Sequence, residues 1–210
     1  RYVVARIFQN IGIKFSVEVV KRGYYPKGGG AIKVDIKSCK SPSPSEFVHG
    51  KFIDTKIASV CSNLPKYVAE RQIAAALVLL ERAGIKCSNY SASYETALSP
   101  GTSILVYSVS DFGGPYIGGD SIGEIGKRSE VVGQEAAGRF AEYVLANTAI
   151  DPFLADMLVL PLCLAKGRSK YLTARATKHL RTNLHVARTL TGCKFDIMPS
   201  QHGYLVTLEV

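Results

Sequence analysis

The spacing of apolar side chains divides the chain into helical and extended segments. Apolar residues recur every three or four positions in five stretches, which is typical of helices with one buried face. The predicted helices are 1–12, 65–84, 131–146, 153–164 and 177–190. Strict alternation, or a short run of β-branched residues, predicts strands between them. The predicted strands are 13–21, 31–37, 48–61, 86–94, 102–108, 170–174, 194–198 and 204–210.

Five residues mark where the last two long helices begin and end. Asp151 fits an N-cap, and Pro152 fits the first helical position after it. Pro161 lies inside the same segment, so we expect a kink or an early end there. Thr177 fits the N-cap of the last helix, and Gly192 terminates that helix.

The order of the elements predicts an α+β fold. The turn 22–30 joins the first two strands into a hairpin, 41–45 is a loop or a boundary, and 113–119 is a flexible glycine-rich loop. The last block has the order helix, helix, strand, helix, strand, strand, which favours helices packed on one face of a sheet. The opening helix and hairpin have the same order as the end of that block, so an internal repeat is expected.

The middle of the chain has its own helix and strands, which indicates a smaller inserted α/β domain. We expect 1–50 and 131–210 to belong to one larger domain and 51–130 to form the insert. The chain begins at Arg1, without a methionine and inside a helical pattern. It therefore looks like the second half of a longer chain, and part of a functional site would then lie outside it.

Composition and charge narrow the classes of function. Of the 210 residues, 47% are hydrophobic and 20% are charged, as in a globular protein. No apolar run reaches the ~18 residues of a membrane span, so no membrane association is expected. The net charge of +9 suits a polyanion such as RNA, DNA or a nucleotide, although solubility alone would also explain it. The tyrosines that could stack on bases are Tyr24, Tyr25, Tyr94, Tyr107 and Tyr116.

The spacing of the cysteines bears on the cellular compartment. They are scattered and include no C-x-x-C pair, so neither a disulfide framework nor a zinc site is expected. We predict reduced thiols in the core of a cytoplasmic protein. The cysteines are Cys39, Cys61, Cys87, Cys163 and Cys193.

His179 is the leading candidate for chemistry because it falls in the first turn of the last helix. The predicted buried face of that helix carries Leu180, Leu184, Ala187 and Thr191, so His179 points elsewhere. The helix macrodipole disfavours positive charge at this end, and a neutral imidazole is a competent nucleophile toward phosphorus. The same helix end attracts phosphate. The basic residues around it are Arg168, Lys170, Arg175, Lys178 and Arg181.

Each of the candidates has an ordinary alternative. His179 could be an exposed histidine in a basic stretch, and His185, His49 and His202 are less favoured because they fall in mid-helix or in loops. The turn 22–30 either binds phosphate or is an ordinary glycine-rich hairpin turn, and it does not have the Walker A pattern. The Asp156 carboxylate is either a nucleotide or metal contact or a salt-bridge partner on a helix face.

Three motifs, taken in order, resemble the RNA 3′-terminal phosphate cyclases. They are Arg22-Gly-Tyr-Tyr-Pro-Lys-Gly-Gly-Gly30, Leu154-Ala-Asp156 followed by Leu160-Pro161, and His179-Leu-Arg-Thr-Asn183. The resemblance covers essentially the whole chain. It implies a large domain of repeated βαβαββ-type units with a smaller inserted domain. It also implies ATP-dependent conversion of an RNA 3′-terminal phosphate to a 2′,3′-cyclic phosphate, with AMP carried first on a histidine and then on the RNA 3′ end.

The resemblance also assigns roles to residues. His179 matches the histidine that becomes adenylylated. The segment that contacts ATP corresponds to Phe153, Leu154, Ala155, Asp156 and Met157. The family often has Tyr or His where Phe153 stands and Gln where Met157 stands, which puts nucleotide selectivity in doubt. The basic residues expected at phosphate or RNA are Arg22, Lys27, Lys178 and Arg181.

The implied co-substrates are ATP and an RNA with a 3′-phosphate end, and a homodimer is left open. A divalent metal, Mg²⁺ or Mn²⁺, is implied as well. The family's carboxylate that assists the metal belongs to an N-terminal segment absent from this chain, so no metal ligand is expected here. Two alternatives share the architecture, a non-catalytic cyclase-like protein of ribosome biogenesis and an enolpyruvyl-transferring enzyme. His179 argues against the first, and the three motifs argue against the second.

Overall fold

The computed structural model describes residues 1–48, 54–109 and 115–210. The helices in these ranges are α1 (Val4–Asn10), α2 (Tyr67–Arg82), α3 (Ser129–Leu145), α4 (Pro152–Leu162) and α5 (Lys178–Thr191). The strands are β1 (Phe15–Lys21), β2 (Ala31–Ile36), β3 (Glu46–Phe47), β4 (Thr55–Ser62), β5 (Cys87–Glu95), β6 (Gly101–Val109), β7 (Tyr116–Ile122), β8 (Arg168–Thr173), β9 (Lys194–Ser200) and β10 (Gly203–Glu209).

The first unit is helix α1 followed by the hairpin β1–β2. The two strands pair antiparallel, with Val17 opposite Val34. Because residues opposite each other in an antiparallel pair share a face, the apolar residues of both strands lie together on one side. Ile7 and Ile11 anchor the helix in the core shared with α4 and α5. The predicted hairpin is confirmed.

The second unit is a four-stranded sheet with the order β5–β4–β6–β7. Strand β4 runs parallel to β5 and antiparallel to β6, and β6 is antiparallel to β7. Helices α2 and α3 pack against each other and against the strands. Their shared core includes Ile57, Leu80, Ile104 and Phe140. This unit contains the helix and strands of the segment 51–130, which was predicted to form a smaller α/β domain, together with α3.

The third unit is a four-stranded sheet with the order β3–β8–β10–β9. Helix α4 packs on β8, α5 packs on β9, and the two helices contact each other. The core between them includes Leu158, Tyr171, Leu180 and Val206. When the first and second units are left out, the elements follow the order β3, α4, β8, α5, β9, β10. This is the predicted βαβαββ arrangement, and the α+β fold class is confirmed.

Residues 149–151 join the second and third units. Ile150 forms parallel bridges to Tyr116 of β7 and to Thr173 of β8. The backbone N–H of Tyr116 donates to the carbonyl of Ala149 at 2.8 Å. The two sheets are therefore tied by backbone hydrogen bonds through a three-residue segment, which fixes where α4 begins.

The loop predicted at 113–119 is wrong in its second half, because Tyr116–Ile122 is strand β7. The first residues of that loop, 113 and 114, lie outside the described ranges. Gly119 does not form a turn. Because it has no Cβ, helix α3 can pack closely on strand β7 at this residue. A Cβ on this residue would lie 2.4 Å from the carbonyl oxygen of Ala136 in α3. The glycine is therefore explained by the approach of a helix to a strand, which local sequence does not reveal.

The predicted domain limits stay a prediction. Helix α3 begins close to the predicted limit at 130 and packs along α2, so its contacts join it to the second unit. No helix among the described residues is long and apolar enough to cross a membrane.

The five cysteines are free thiols. Cys61, Cys163 and Cys193 are buried as predicted, whereas Cys39 is exposed and Cys87 is partly exposed, so the core location is wrong for these two. Burial raises the pKa of Cys163 to about 12, and a hydrogen bond with Cys193 adds to the shift. This buried thiol pair joins the end of α4 to the start of β9, and the scattered spacing of the cysteines gives no sign of it.

Helices α2 and α3 approach each other closely at Gly133, where a Cβ would lie 2.1 Å from the carbonyl oxygen of Gln72. We expect Gly133→Ala to destabilise the protein by roughly 1–3 kcal/mol, because the helices must separate. Urea unfolding followed by circular dichroism measures the change.

Gly138 provides the matched control in the same helix, because the nearest atom to a Cβ there is 4.0 Å away. Gly138→Ala should stabilise the protein by about 0.5–1 kcal/mol through helix propensity alone. Equal effects of the two substitutions would contradict the close approach at Gly133.

Candidate functional site

The start of helix α5 is fixed by its N-cap. The Thr177 hydroxyl accepts a hydrogen bond from the backbone N–H of Leu180 at 2.9 Å. His179 is exposed in the first turn, while the buried side of the helix packs on the core. At the other end Gly192 has φ +75°, the left-handed conformation of a terminating glycine. The cap and stop predicted from the sequence are confirmed, and they place His179 where the first N–H groups of the helix have no intrahelical partner.

Asp156 of α4 lies beside this helix start. The Thr177 hydroxyl donates to Asp156 Oδ1 at 2.9 Å, so one side chain caps α5 and holds the carboxylate. The side-chain amide of Asn183 lies 3.4 Å from the carbonyl oxygen of Asp156 and adds a second connection between the two helices. Burial raises the pKa of Asp156, whereas the Thr177 hydrogen bond and the nearby His179 act to lower it. Asp156, Thr177 and His179 therefore form one local group.

The other residues of the 153–157 segment divide between two faces of α4. Phe153 and Met157, one turn apart, are 57% and 50% exposed. Leu154 and Ala155 are buried in the core, and the carbonyl oxygen of Ala155 accepts a hydrogen bond from the Tyr171 hydroxyl at 3.0 Å. The exposed pair can contact a ligand, while the buried pair anchors the helix.

Helix α4 ends at Leu162, one residue after Pro161. The early end expected from this proline is confirmed. A proline has no N–H to donate and its ring crowds the preceding turn, so the helix does not continue far beyond it.

Two of the five basic residues near His179 are held by acidic partners. Arg175 pairs with Glu142, and Lys170 pairs with Glu46 at 3.2 Å. Lys178, Arg181 and Arg168 are exposed, and within the described ranges they form no ion pair. Because Lys178 and Arg181 flank His179 on the first turn of α5, their charge is free to act on an anion at that helix end.

The glycine-rich turn 22–30 packs on the second unit. Arg22 Nε lies 3.2 Å from a carboxylate oxygen of Glu95. The ring of Tyr24 covers Gly101, where a Cβ would lie 2.1 Å from the ring. The backbone N–H of Lys27 donates to the Ser99 hydroxyl at 3.2 Å. The turn therefore docks on residues 95–101, and no described hydrogen bond or ion pair joins it to α4 or α5.

The remaining histidines lie apart from this group. His185 is exposed farther along α5, 3.5 Å from a guanidinium nitrogen of Arg188. His202 is partly buried in the turn before β10. His49 lies outside the described residues. Within the ranges that the structure covers, no group of three or more His, Cys, Asp or Glu side chains could hold a metal ion.

Asp151 fixes the start of α4, the helix that carries Asp156. Its buried carboxylate accepts hydrogen bonds from the backbone N–H groups of Phe153, Leu154 and Gly118, at 3.0, 2.8 and 3.0 Å. It therefore caps α4 and ties that helix to β7. Burial raises the pKa of Asp151 to about 6, although the three hydrogen bonds oppose the shift.

A family model for the RNA 3′-terminal phosphate cyclases matches residues 1–197. The chain belongs to this family. A relative from Pyrobaculum aerophilum is 36% identical over 212 residues, which cover 100% of this chain and 60% of the relative. One from Archaeoglobus fulgidus is 37% identical over 192 residues, covering 90% of this chain and 55% of the relative. Both bear the name RNA 3′-terminal phosphate cyclase.

This chain spans about 60% of the length of these cyclase relatives. Of the site residues that the cyclase resemblance implies, the structure brings Asp156 and His179 together, with Lys178 and Arg181 beside them. It places Arg22 and Lys27 in the turn that docks on the second unit. Sequence reasoning identified Thr177 only as a cap. Its bond to Asp156 depends on how α4 lies against α5, which no local pattern contains.

The pKa of Asp151 generates a prediction about stability and pH. This carboxyl has a pKa of about 6 in the folded protein, against an ordinary value of 3.8, so the folded state binds more protons than the unfolded state. Its contribution to stability therefore falls as pH rises from about 4 to about 6, by about 3 kcal/mol. Asp151→Asn removes this titration.

The test compares urea unfolding of wild type and Asp151→Asn at several pH values. The free energy of unfolding of wild type minus that of the variant should decrease between pH 4 and pH 7 and stay level above it. A difference that is constant or increases over this range would show that the buried carboxyl does not titrate as described.

Proposed function

We propose that this chain carries the adenylylation site of an RNA 3′-terminal phosphate cyclase, with His179 as the nucleophile. The observation that carries the proposal is the position of His179, exposed at the start of α5 beside Asp156 and the exposed basic side chains of Lys178 and Arg181. Membership in the family supports the overall reaction, the ATP-dependent conversion of an RNA 3′-phosphate to a 2′,3′-cyclic phosphate. The free and unclustered cysteines favour a cytoplasmic location.

ATP would lie across the exposed side of α4. The Phe153 ring is available to stack on adenine, and Met157, one turn further, offers apolar contact. The Asp156 carboxylate, held at Oδ1 by Thr177, leaves its second oxygen to accept a hydrogen bond from the ribose. Leu154 and Ala155 keep the helix in place from the core. Met157 offers no amide donor, so base selectivity would depend on stacking more than on hydrogen bonds.

In the first step an unprotonated ring nitrogen of His179 attacks the α-phosphorus of ATP. A nitrogen–phosphorus bond forms, the bond from the α-phosphorus to the bridging oxygen breaks, and pyrophosphate leaves with the electron pair. Lys178, Arg181 and the free N–H groups of the first helical turn would stabilise the negative charge that develops on the phosphate oxygens. The resemblance implies a divalent metal, but among the described residues no group of three or more His, Cys, Asp or Glu side chains fits one.

In the second step an oxygen of the RNA 3′-phosphate attacks the same phosphorus and displaces the histidine. AMP is now joined to the RNA end through a pyrophosphate linkage. In the third step the adjacent 2′-hydroxyl attacks the activated phosphate, loses its proton, and expels AMP to give the cyclic phosphate. DNA has no 2′-hydroxyl, so the last step would require RNA.

The assignment of the nucleophile predicts a covalent adduct. Incubation of the full-length protein with ATP labelled at the α-phosphate should give a labelled protein whose bond is acid-labile and alkali-stable. His179→Ala should abolish the label, because the nitrogen that forms the bond is gone. His185→Ala is the matched control, an exposed histidine on the same helix, and it should label like wild type.

Two results would contradict this assignment. Label that persists in the His179→Ala variant would show that another residue is the nucleophile. Full-length wild type that takes up no label would favour a non-catalytic cyclase-like protein. Circular dichroism of each variant shows whether a loss of label reflects unfolding.

The hydrogen bond from Thr177 to Asp156 predicts a positioning role. Thr177→Val removes the hydroxyl, so α5 loses its cap and Asp156 loses its partner. The rate of adduct formation should fall roughly tenfold or more through misplacement of His179, and stability by about 1 kcal/mol. Thr177→Ser retains the hydroxyl and should restore both.

Thr189 is the control for the loss of a threonine hydroxyl on α5, because among the described residues its side chain bonds to the helix backbone alone, at the His185 carbonyl. Thr189→Val should leave the adduct rate unchanged. If Thr177→Val and Thr189→Val have equal rates, the Thr177–Asp156 hydrogen bond has no part in the reaction.

A further inference from the structure

Asn183 lies one helical turn after His179 on the same side of α5. Residues four positions apart on a helix are neighbours, with roughly 5–6 Å between their Cβ atoms. Helical side chains also lean toward the N-terminus of their helix, so the Asn183 amide leans back toward the ring of His179. Both side chains are exposed, while Leu180 and Leu184 hold a different side of the helix in the core. The amide and the ring are therefore within reach of each other.

The contact with α4 fixes which end of the Asn183 amide faces that helix. The amide nitrogen donates to the main-chain carbonyl oxygen of Asp156 at 3.4 Å. A carbonyl oxygen can only accept, so the amide nitrogen and not the amide oxygen must face it. The amide oxygen, Oδ1, accepts no hydrogen bond from the residues that the structure describes. Asn183 thus carries an unused acceptor on a side chain that is anchored through its nitrogen.

The proposed reaction requires an acceptor of this kind. A neutral imidazole has one N–H and one lone pair, and only the nitrogen with the lone pair can attack phosphorus. A hydrogen bond from the N–H decides which nitrogen that is and where it points. A neutral acceptor suits this role, because a carboxylate would favour the protonated ring, which has no lone pair to attack with. The Asp156 carboxylate, moreover, is held at Oδ1 by the Thr177 hydroxyl.

We infer that Asn183 is a positioning residue for His179. Its Oδ1 accepts a hydrogen bond from Nδ1–H, the ring nitrogen nearer to the helix backbone, and leaves the lone pair of Nε2 free. When Nε2 bonds to the α-phosphorus and pyrophosphate leaves, the proton stays on Nδ1 and the ring becomes positively charged. The same hydrogen bond then stabilises the charged ring. The inference rests on the proposed function and adds to it the group that fixes the reacting nitrogen.

The first test replaces Asn183 by leucine, which has a similar size and no acceptor. In the full-length protein at saturating labelled ATP, Asn183→Leu should slow adduct formation roughly tenfold or more, because the ring is no longer held in one orientation. The ATP concentration that gives half the maximal rate should stay at the wild-type value, because Asn183 contacts the ring and not the nucleotide. Thr189→Leu makes the same kind of change farther along α5, and its rate should equal that of wild type.

The second variant, Asn183→Asp, separates the acceptor from the tie between the helices. An aspartate retains an acceptor oxygen but cannot donate to the Asp156 carbonyl. Its negative charge favours the protonated ring, so on acidification adduct formation should be lost at a higher pH than in wild type. Above that pH the rate should return close to the wild-type value. The other charged groups at this helix end, Asp156, Lys178 and Arg181, are the same in every variant, so their effects cancel in the comparison.

The ring of His179 provides a readout that a purely structural tie would not change. With ¹⁵N-labelled histidine, the nitrogen chemical shifts in the full-length protein report which ring nitrogen carries the proton, and His179→Ala assigns the signal. Wild type and Asn183→Asp should have the proton of the neutral ring on Nδ1. Asn183→Leu should show a mixture of the two neutral forms.

A wild-type rate or an unchanged ring signal in Asn183→Leu would overturn the inference. Equal losses of rate in the leucine and aspartate variants would do so as well, since they would leave Asn183 as a tie between α4 and α5 only. A higher ATP concentration at half the maximal rate would instead place Asn183 against the nucleotide. A failure of His179 as the nucleophile shows separately, as label that persists in His179→Ala, so the two proposals are distinguishable.

Discussion

The buried carboxylate of Asp151 is the interaction on which the rest of the site depends. Three backbone N–H groups converge on it, two from the start of α4 and one from Gly118 of β7. The backbone next to it joins β7 to β8 through Ile150. The position of α4 sets that of Asp156, and Asp156 meets Thr177 at the cap of α5. A chain of hydrogen bonds thus leads from the junction of two sheets to the cap of α5, the helix that carries His179.

Local chemistry in the sequence was enough to find α4, α5, β8, β9 and β10 of the third unit, but not β3, which lies before the strand predicted at 48–61. Caps and stops act within a few residues, so Asp151, Thr177 and Gly192 could each be assigned before any contact was known. The strand at 116–122 was missed because its glycines resemble a loop. Gly119 is there because α3 lies on it, and such contacts join residues that are distant in sequence.

The sequence predicts only part of the site, because it does not reveal contacts between residues that are distant along the chain. A helical spacing and a family motif identify His179 and the 153–157 segment. They do not show that Leu154 and Ala155 face the core, or that Thr177 reaches across to Asp156. The composition of the turn 22–30 suggests phosphate binding. In the structure, however, the turn contacts residues 95–101.

The parallel pairing of β3 with β8 has a consequence for how the protein is made. Ser45, next to β3, bonds to Ser169 of β8 across 124 positions of sequence. A ribosome takes on the order of ten seconds to translate that interval. During this time β3 has no strand to pair with, whereas all four strands and both helices of the second unit emerge first. Synthesis thus favours folding of the second unit before the sheet of the third unit. That sheet needs strands from both sides of the second unit in the sequence.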